Sequence, residues 1–317
     1  MRRLAAAILA PLAVTAAIAG CSSSSSSSGT ANPNAEVSVS GKLGTAPTVH
    51  IPAAAAGKTL VTKILIKGTG PVLTNADSYL ARFSLYVWRG KTHKLLFTNF
   101  ASTPTVLPVA MGLTGLQKAI TGQHVGSRVL AVMPPKYGYG KLGNSQIGVK
   151  GTDTLVWVVD LDQAFTPNTR ASGKQVSSGG GTLPTVTLGT GGTPQVAIPS
   201  NAPPSKLVVK TLIQGTGPAV QKNQSIVVRY VGVIWRTGKV FNSDWPSVSQ
   251  PTAAPNVFTL GQLIPAWNTG LVGVKVGSRV MLVVPPAEGY GKNGSAQAGI
   301  KGTDTLVFVV DVLAVAS

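Results

Sequence analysis

Lys301-Gly302-Thr303-Asp304-Thr305-Leu306-Val307 runs from a glycine turn into a β-branched strand, and the same seven residues occur earlier as Lys150-Gly151-Thr152-Asp153-Thr154-Leu155-Val156. Working back along the chain, Gly138-Tyr139-Gly140-Lys141 recurs as Gly289-Tyr290-Gly291-Lys292. Val125-Gly126-Ser127-Arg128-Val129 recurs as Val276-Gly277-Ser278-Arg279-Val280. These three pairs share one spacing, so the C-terminal halves of two repeats align without gaps. Further back, Gly68-Thr69-Gly70-Pro71 returns as Gly215-Thr216-Gly217-Pro218. Two units of roughly 110 residues, a size typical of one domain each, point to tandem domains and against a solenoid, which needs three or more stacked repeats.

Within each unit the apolar runs are short, β-branched and bounded by Gly, Pro, Asn or Ser, as strands are. In the second unit they are Ile226 to Trp235, Arg279 to Val284 and Thr305 to Val315. Only Ile264 to Val272 has helical spacing, with Ile264, Trp267 and Leu271 three and four apart. The expected class is α+β: in each unit, an antiparallel sheet curved around one short helix.

Two stretches of different composition bound the units. Ser22 to Ser28 is an unbroken serine run, and the chain stays rich in Ala, Pro, Thr and Gly to about Gly57. Residues 167–205 include Ser177-Ser178-Gly179-Gly180-Gly181 and Gly189-Thr190-Gly191-Gly192. Both read as flexible; the second is too poor in large apolar residues to build a core and has no obvious strand to share. The domain plan is therefore a leader at 1–20, a tether at 21–57, a first unit at 58–166, a linker at 167–205 and a second unit at 206–317.

The leader begins Met1-Arg2-Arg3, continues with an apolar stretch from Leu4 to Ala19, and ends Ile18-Ala19-Gly20-Cys21. A charged start, a short apolar run and small residues make a secretory signal. A spanning helix needs about 20 apolar residues, and this run stops short at the serines. The segment resembles a bacterial lipobox, which implies lipidation of Cys21, cleavage before it, and anchoring to the outer face of the cytoplasmic membrane. Cys21 is the only cysteine, so internal disulfides, cysteine metal clusters and catalytic thiols are excluded. Lys and Arg number 27 against 9 Asp and Glu, a net charge of +18. That balance favours anionic partners, which for an exported chain means a membrane or cell-wall surface. The basic residues are scattered and not interleaved with aromatics, so nucleic acid is not expected.

The second unit also carries an ordered series of blocks: Val227-Val228-Arg229-Tyr230-Val231-Gly232, Thr237-Gly238-Lys239-Val240-Phe241-Asn242-Ser243, Phe258-Thr259-Leu260-Gly261, Leu263-Ile264-Pro265-Ala266-Trp267, Gly277-Ser278-Arg279, Pro285-Pro286-Ala287-Glu288-Gly289-Tyr290-Gly291, and Thr305 through Val312. In order and wording this series resembles the FKBP-type peptidyl-prolyl cis-trans isomerases over about 110 residues. The resemblance implies two tandem FKBP-like domains and a proline pocket with Trp267 as its floor. Tyr230, Phe241, Leu263, Ile264 and Phe308 would be walls, Tyr290 would offer its hydroxyl to a substrate carbonyl, and Ile300 would sit on the rim. It implies proline-containing polypeptides as partners, the family's macrolides as possible ligands, and no cofactor or metal.

Two departures stand out. The family's aspartate after the phenylalanine at 241 is Asn242 here, which can hydrogen-bond Tyr230 but supplies no charge. The loop ahead of Leu263 is about two residues short, and an aromatic near Asn256 is missing. The first unit departs further, with Phe83 in place of Tyr230, Thr98 in place of Asn242 and Leu116 in place of Trp267. Phe97, Leu113, Tyr139, Val149 and Trp157 survive as scaffold. It reads as a folded but inactive copy.

Other motifs have simpler explanations. Gly289 to Gly294 fits G-x-G-x-x-G, with Asp311 beyond it, but the chain passes into the strand from Thr305 with no room for a crossover helix. His50, His93 and His124 share no metal-ligand spacing. Asp153 and Asp304 recur ahead of a strand, where turn chemistry explains them. Three functions compete: an extracytoplasmic isomerase assisting exported proteins, a noncatalytic peptide-binding or chaperone module using the same apolar groove, and a solute-binding lipoprotein. The last would need two large α/β lobes that this strand-rich chain lacks.

Overall fold

A computed structural model describes residues 32–110, 113–247 and 253–316; the leader and Cys21 lie outside the described residues. In chain order the strands are β1 (Ser38–Ser40), β2 (Thr48–His50), β3 (Val61–Ile66), β4 (Ser78–Arg89), β5 (Thr92–Thr98) and β6 (Thr105–Pro108). Helix α1 (Thr114–Ile120), β7 (Arg128–Met133) and β8 (Thr154–Phe165) complete the first unit. There follow β9 (Lys174–Gln175), β10 (Thr185–Leu188), β11 (Pro194–Ala197), β12 (Val208–Gln214), β13 (Ser225–Ile234), β14 (Val240–Ser243) and β15 (Asn256–Thr259). Helix α2 (Pro265–Gly270), β16 (Arg279–Val284) and β17 (Leu306–Ala316) end the chain.

Both sheets are antiparallel and share one order. In the first, β3-β7-β8-β4-β5 lie side by side with β6 on the remaining length of β4; in the second, β12-β16-β17-β13-β14 do so with β15 on β13. The single helix of each unit packs on one face of its sheet, as the spacing of Ile264, Trp267 and Leu271 predicts. Leu116, Ala119 and Ile120 bury against Val129, Ala131 and Val159 in the first unit. Trp267 and Leu271 bury against Leu282, Phe308 and Val310 in the second.

The segments read as flexible are not bare connections. β1 and β2 form a hairpin, and Val37 and Ile51 close over Leu130, Val132, Val156 and Val158 on the face away from α1. In the second unit β10 and β11 form the matching hairpin, with Val186 against Met281, Val283, Val307 and Val309. β9 adds a further strand, beside β12. Composition misled here because most residues in these stretches are small or polar, yet a few valines and isoleucines at alternating positions are enough to seal a sheet face. Burial on both faces also explains why Leu306 to Val310 is apolar without interruption, where a strand with one wet face would alternate.

A buried ion pair fastens each of these segments. Arg128 Nε lies 2.6 Å from Asp160 Oδ1 and Arg279 Nε lies 2.5 Å from Asp311 Oδ1. The second carboxylate oxygens accept from the Nη2 of the same arginines and also from backbone N–H groups of the preceding segments, Gly44 on Asp160 at 2.7 Å and Ala171 on Asp311 at 2.8 Å. Arg128 also donates to the carbonyls of Gly41 and Thr45. Burying such charges is tolerable because each is paired and hydrogen-bonded.

The two units meet along an apolar seam. Leu80 and Phe165 of the first pack with Val227, Leu313, Ala314 and Ala316 of the second, and Thr103 Oγ1 lies 3.1 Å from Ser225 Oγ. The described residues accordingly belong to one compact unit. No helix among the described residues is long and apolar enough to cross a membrane.

Candidate active site

Strand β13 turns at Arg236 to Gly238 and returns as β14, with a bulge where Gly232 and Val233 face Asn242 and Val240, leaving Phe241 as the extra residue. Gly232 lies beneath that bulge for a steric reason. A Cβ there would come within 2.6 Å of Phe241 Cζ, so only glycine lets the phenylalanine lie across the strand. α2 starts at Pro265, which needs no N–H partner at the first helical turn, and carries Trp267 inward at 4 % exposure. Asn268 fastens the loop ahead of the helix. Its Oδ1 accepts from the Gly261 N–H at 2.7 Å and its Nδ2 donates to the Leu263 carbonyl at 2.7 Å.

These elements enclose a cavity of about 140 Å³ lined by Tyr230, Phe241, Asn242, Phe258, Leu263, Ile264, Trp267, Tyr290 and Phe308. The rings meet edge to face around Trp267. Tyr230 stands 5.3 Å from it at 90°, Phe258 5.6 Å at 86° and Phe308 5.5 Å at 86°, while Phe241 crosses Phe308 at 5.6 Å and 87°. Such edge-to-face contacts are the preferred aromatic geometry and fix the walls of an apolar slot. Burial, then the nearby Asp244 and Tyr290, push the Tyr230 phenol up to about 12, so it stays protonated. Tyr290, 40 % exposed, stands at the mouth on a loop of short 3-10 turns between Pro286 and Ala298. The nucleotide-like glycine motif is this loop.

Eight of the nine residues expected in the pocket thus line one cavity. Ile300 does not. It is buried at 4 % exposure, and its backbone exchanges two hydrogen bonds with Ser295, so it supports the loop of Tyr290 from below. Asn242 lines the cavity, but no hydrogen bond joins it to Tyr230 among the described residues. Two contributors were not read from the sequence as site residues. Phe258 supplies an aromatic wall two positions beyond Asn256, on the same face of β15, and that alternation was the available signal. Asp244 lies behind Tyr230 and accepts its backbone N–H at 2.7 Å.

The first unit holds the same positions with other side chains. Phe83 and Trp157 stack face to face, 4.6 Å apart at 14°, above a fully buried Leu116. Strand pairing corrects one correspondence. Phe97 faces Leu85 and Thr98 faces Ser84, as Asn242 faces Gly232 and Ser243 faces Val231. The bulged residue equivalent to Phe241 is therefore Leu96, and Phe97 lies 48 % exposed. Thr98 matches Ser243 rather than Asn242. The hairpin of the first unit is longer, which hides this slip in a sequence alignment.

Comparison with known proteins agrees with this geometry. The family model described as FKBP-type peptidyl-prolyl cis-trans isomerase matches residues 87–162 and 217–313. An FK506-binding protein of Streptomyces anulatus is 37% identical over 122 residues, covering 38% of this chain and 96% of that protein. A probable FK506-binding protein of Corynebacterium glutamicum is 36% identical over 120 residues, 38% of this chain and 96% of its own length. The FKBP-type isomerase FkpA of Escherichia coli is 37% identical over 107 residues, 34% of this chain and 37% of that protein. With two matched regions that together span more than half of its length, the chain belongs to the family of FKBP-type peptidyl-prolyl cis-trans isomerases.

Proposed function

We propose that this chain is an extracytoplasmic peptidyl-prolyl isomerase that assists exported proteins, held at the membrane through Cys21, with its activity in the second unit. The observation that carries the assignment to the second unit is the aromatic slot over Trp267, which the first unit replaces with a stacked ring pair over Leu116.

Rotation about a prolyl bond is slow because twisting sacrifices amide resonance, with a barrier of about 18–20 kcal/mol for peptide bonds. Twisting also reduces charge separation in the amide, so a dry apolar slot favours the twisted form over the planar one. Neither nucleophile nor metal is needed. Four decades of acceleration require about 5.4 kcal/mol of preferential binding to the twisted state. Trp267, Phe308, Phe241, Leu263 and Ile264 would hold the proline ring, and the Tyr290 hydroxyl would donate to a carbonyl of the substrate. Proline-containing polypeptides are the expected substrates. The names of the Streptomyces and Corynebacterium relatives support a macrolide as a competing ligand.

The test is isomerisation of a proline peptide by the full chain, with and without Trp267→Ala. A fall of about a hundredfold without the tryptophan supports the assignment, and activity undiminished in the folded variant refutes it. A chain that binds the peptide without turning it over would favour the peptide-holding module, a reading consistent with Asn242 lacking a bond to Tyr230. Anchoring is tested by Cys21→Ala, which should release the protein from membranes or block its processing.

A further inference from the structure

We propose that Asp244 is a positioning residue of this cavity, one that latches Tyr230 on β13 to Asn256 on β15 and so fixes the spacing of two aromatic walls. The proposal rests on the isomerase reading of the cavity.

The carboxyl spans the gap between strands. Asp244 Oδ1 accepts the Tyr230 N–H at 2.7 Å and Oδ2 accepts from Asn256 Nδ2 at 3.1 Å. Tyr230 and Phe258, on the two strands so joined, face each other across the slot with ring centres 6.0 Å apart. Arg229 secures the backbone behind, donating to the carbonyls of Asp244 at 2.6 Å and Ala253 at 3.0 Å. The first unit has the same device with a neutral side chain. Asn99 Oδ1 accepts the Phe83 N–H at 2.6 Å, while its Nδ2 donates to the Ala81 carbonyl at 3.0 Å and reaches Thr105 Oγ1 on β6 at 3.3 Å. The repeat of the latch behind a closed ring stack and behind an open slot shows that the strand junction needs the bonds and not the charge. A carboxylate at 244 adds something that Asn99 does not supply.

What it adds is an acceptor that changes with pH. Burial pushes the Asp244 carboxyl up to about 7, against the opposing pull of its bonds from Tyr230 and Asn256 and of Arg229. The ionisable groups facing it are Arg229 and Tyr230 on β13. Tyr290 acts on the same Tyr230. Behind Trp245, which lies 5.6 Å from the Arg229 guanidinium and 5.7 Å from that of Arg279, stands the Arg279–Asp311 pair. Above the transition the carboxylate accepts both N–H donors with full charge; below it one oxygen carries a proton and the latch slackens.

The experiment measures kcat/KM for a proline peptide across the neutral range with the full chain, alongside the pH dependence of the Tyr230 amide resonance. The wild type is expected to gain about fivefold through a single inflection near neutrality, the advantage of a charge-assisted over a neutral hydrogen bond. Asp244→Asn, a permanently neutral latch, should hold the wild type's low-pH rate with no inflection. Asn256→Ala should keep the inflection at a lower rate. In the wild type the Tyr230 amide should titrate with the activity, and in Asp244→Asn it should not. An amide that does not titrate, or an Asp244→Asn profile that keeps the inflection, overturns the proposal. Absence of activity at every pH refutes the isomerase reading instead, and the amide titration then decides separately whether the carboxyl makes the latch.

Discussion

The two units share strand order, a buried Arg–Asp pair, a covering hairpin and a side-chain latch, yet only the second lines an aromatic slot around a tryptophan floor. The difference comes from a handful of substitutions. Glycine at 232 lets Phe241 cross the strand, whereas Leu85 fills the equivalent place and Leu96 takes the bulge. Trp267 stands on edge among three rings, whereas Phe83 and Trp157 lie flat on each other. Scaffold and site are therefore separable in this fold: hydrogen bonds and outer-face packing hold the sheet, and the slot depends on how few side chains are stacked inside it.

The largest expected effect comes from truncating the two floors. Trp267→Ala and Leu116→Ala should each lose about 2–5 kcal/mol of stability as buried large-to-small changes, measured by chemical denaturation. Isomerase activity of the folded protein should fall about a hundredfold for Trp267→Ala alone. Equal loss from Leu116→Ala would break the distinction between the units.

Next comes the seam. Phe165, 1 % exposed, packs between the units, and Phe165→Ala should cost about 3–5 kcal/mol. In calorimetry it should split a single transition into two. A variant that still melts in one step would mean that the units are coupled elsewhere.

Stability should also vary with pH through Asp244. Its folded value of about 7 lies above the usual unfolded value of about 3.9. Between them the unfolded chain has released a proton that the folded chain keeps, so stability falls as pH rises from about 4 to about 7 and levels off above. Asp244→Asn should remove this part of the slope, leaving a variant more stable than wild type above neutrality. Urea midpoints at a series of pH values read the difference, and parallel curves for the two proteins would contradict it.

The smallest effect sharpens the site at its mouth. Tyr290→Phe deletes one hydroxyl, whose hydrogen bond is worth about 0.5–1.5 kcal/mol, so the isomerisation rate should drop by roughly two- to twelvefold. Tyr139→Phe, at the matching place in the first unit, should leave the rate unchanged.

Much of this was legible in the sequence because it was written as repeats. The three gapless matches located the strands from Arg128, Arg279, Thr154 and Thr305, and the spacing of Ile264, Trp267 and Leu271 located the helix. The pocket residues followed from the order of their blocks. What escaped reading depends on partners distant in sequence. Asp244 follows a polar stretch of β14, and nothing local distinguishes a latch from a turn. The Phe97 slip came from judging a bulge by similarity, when the pairing of β4 with β5 decides which residue is extra. The outer hairpins escaped because composition averages over a segment, while sealing a sheet needs only a few residues at the right alternation.

Those hairpins also show where each repeat begins. Val39, Val49 and Ile51 recur as Val186, Val196 and Ile198 at the same interval that separates Val61 from Val208. The register thus runs unbroken from the covering hairpin into the sheet it covers. The repeated module therefore begins upstream of the regions that match the isomerase family and includes its own cover.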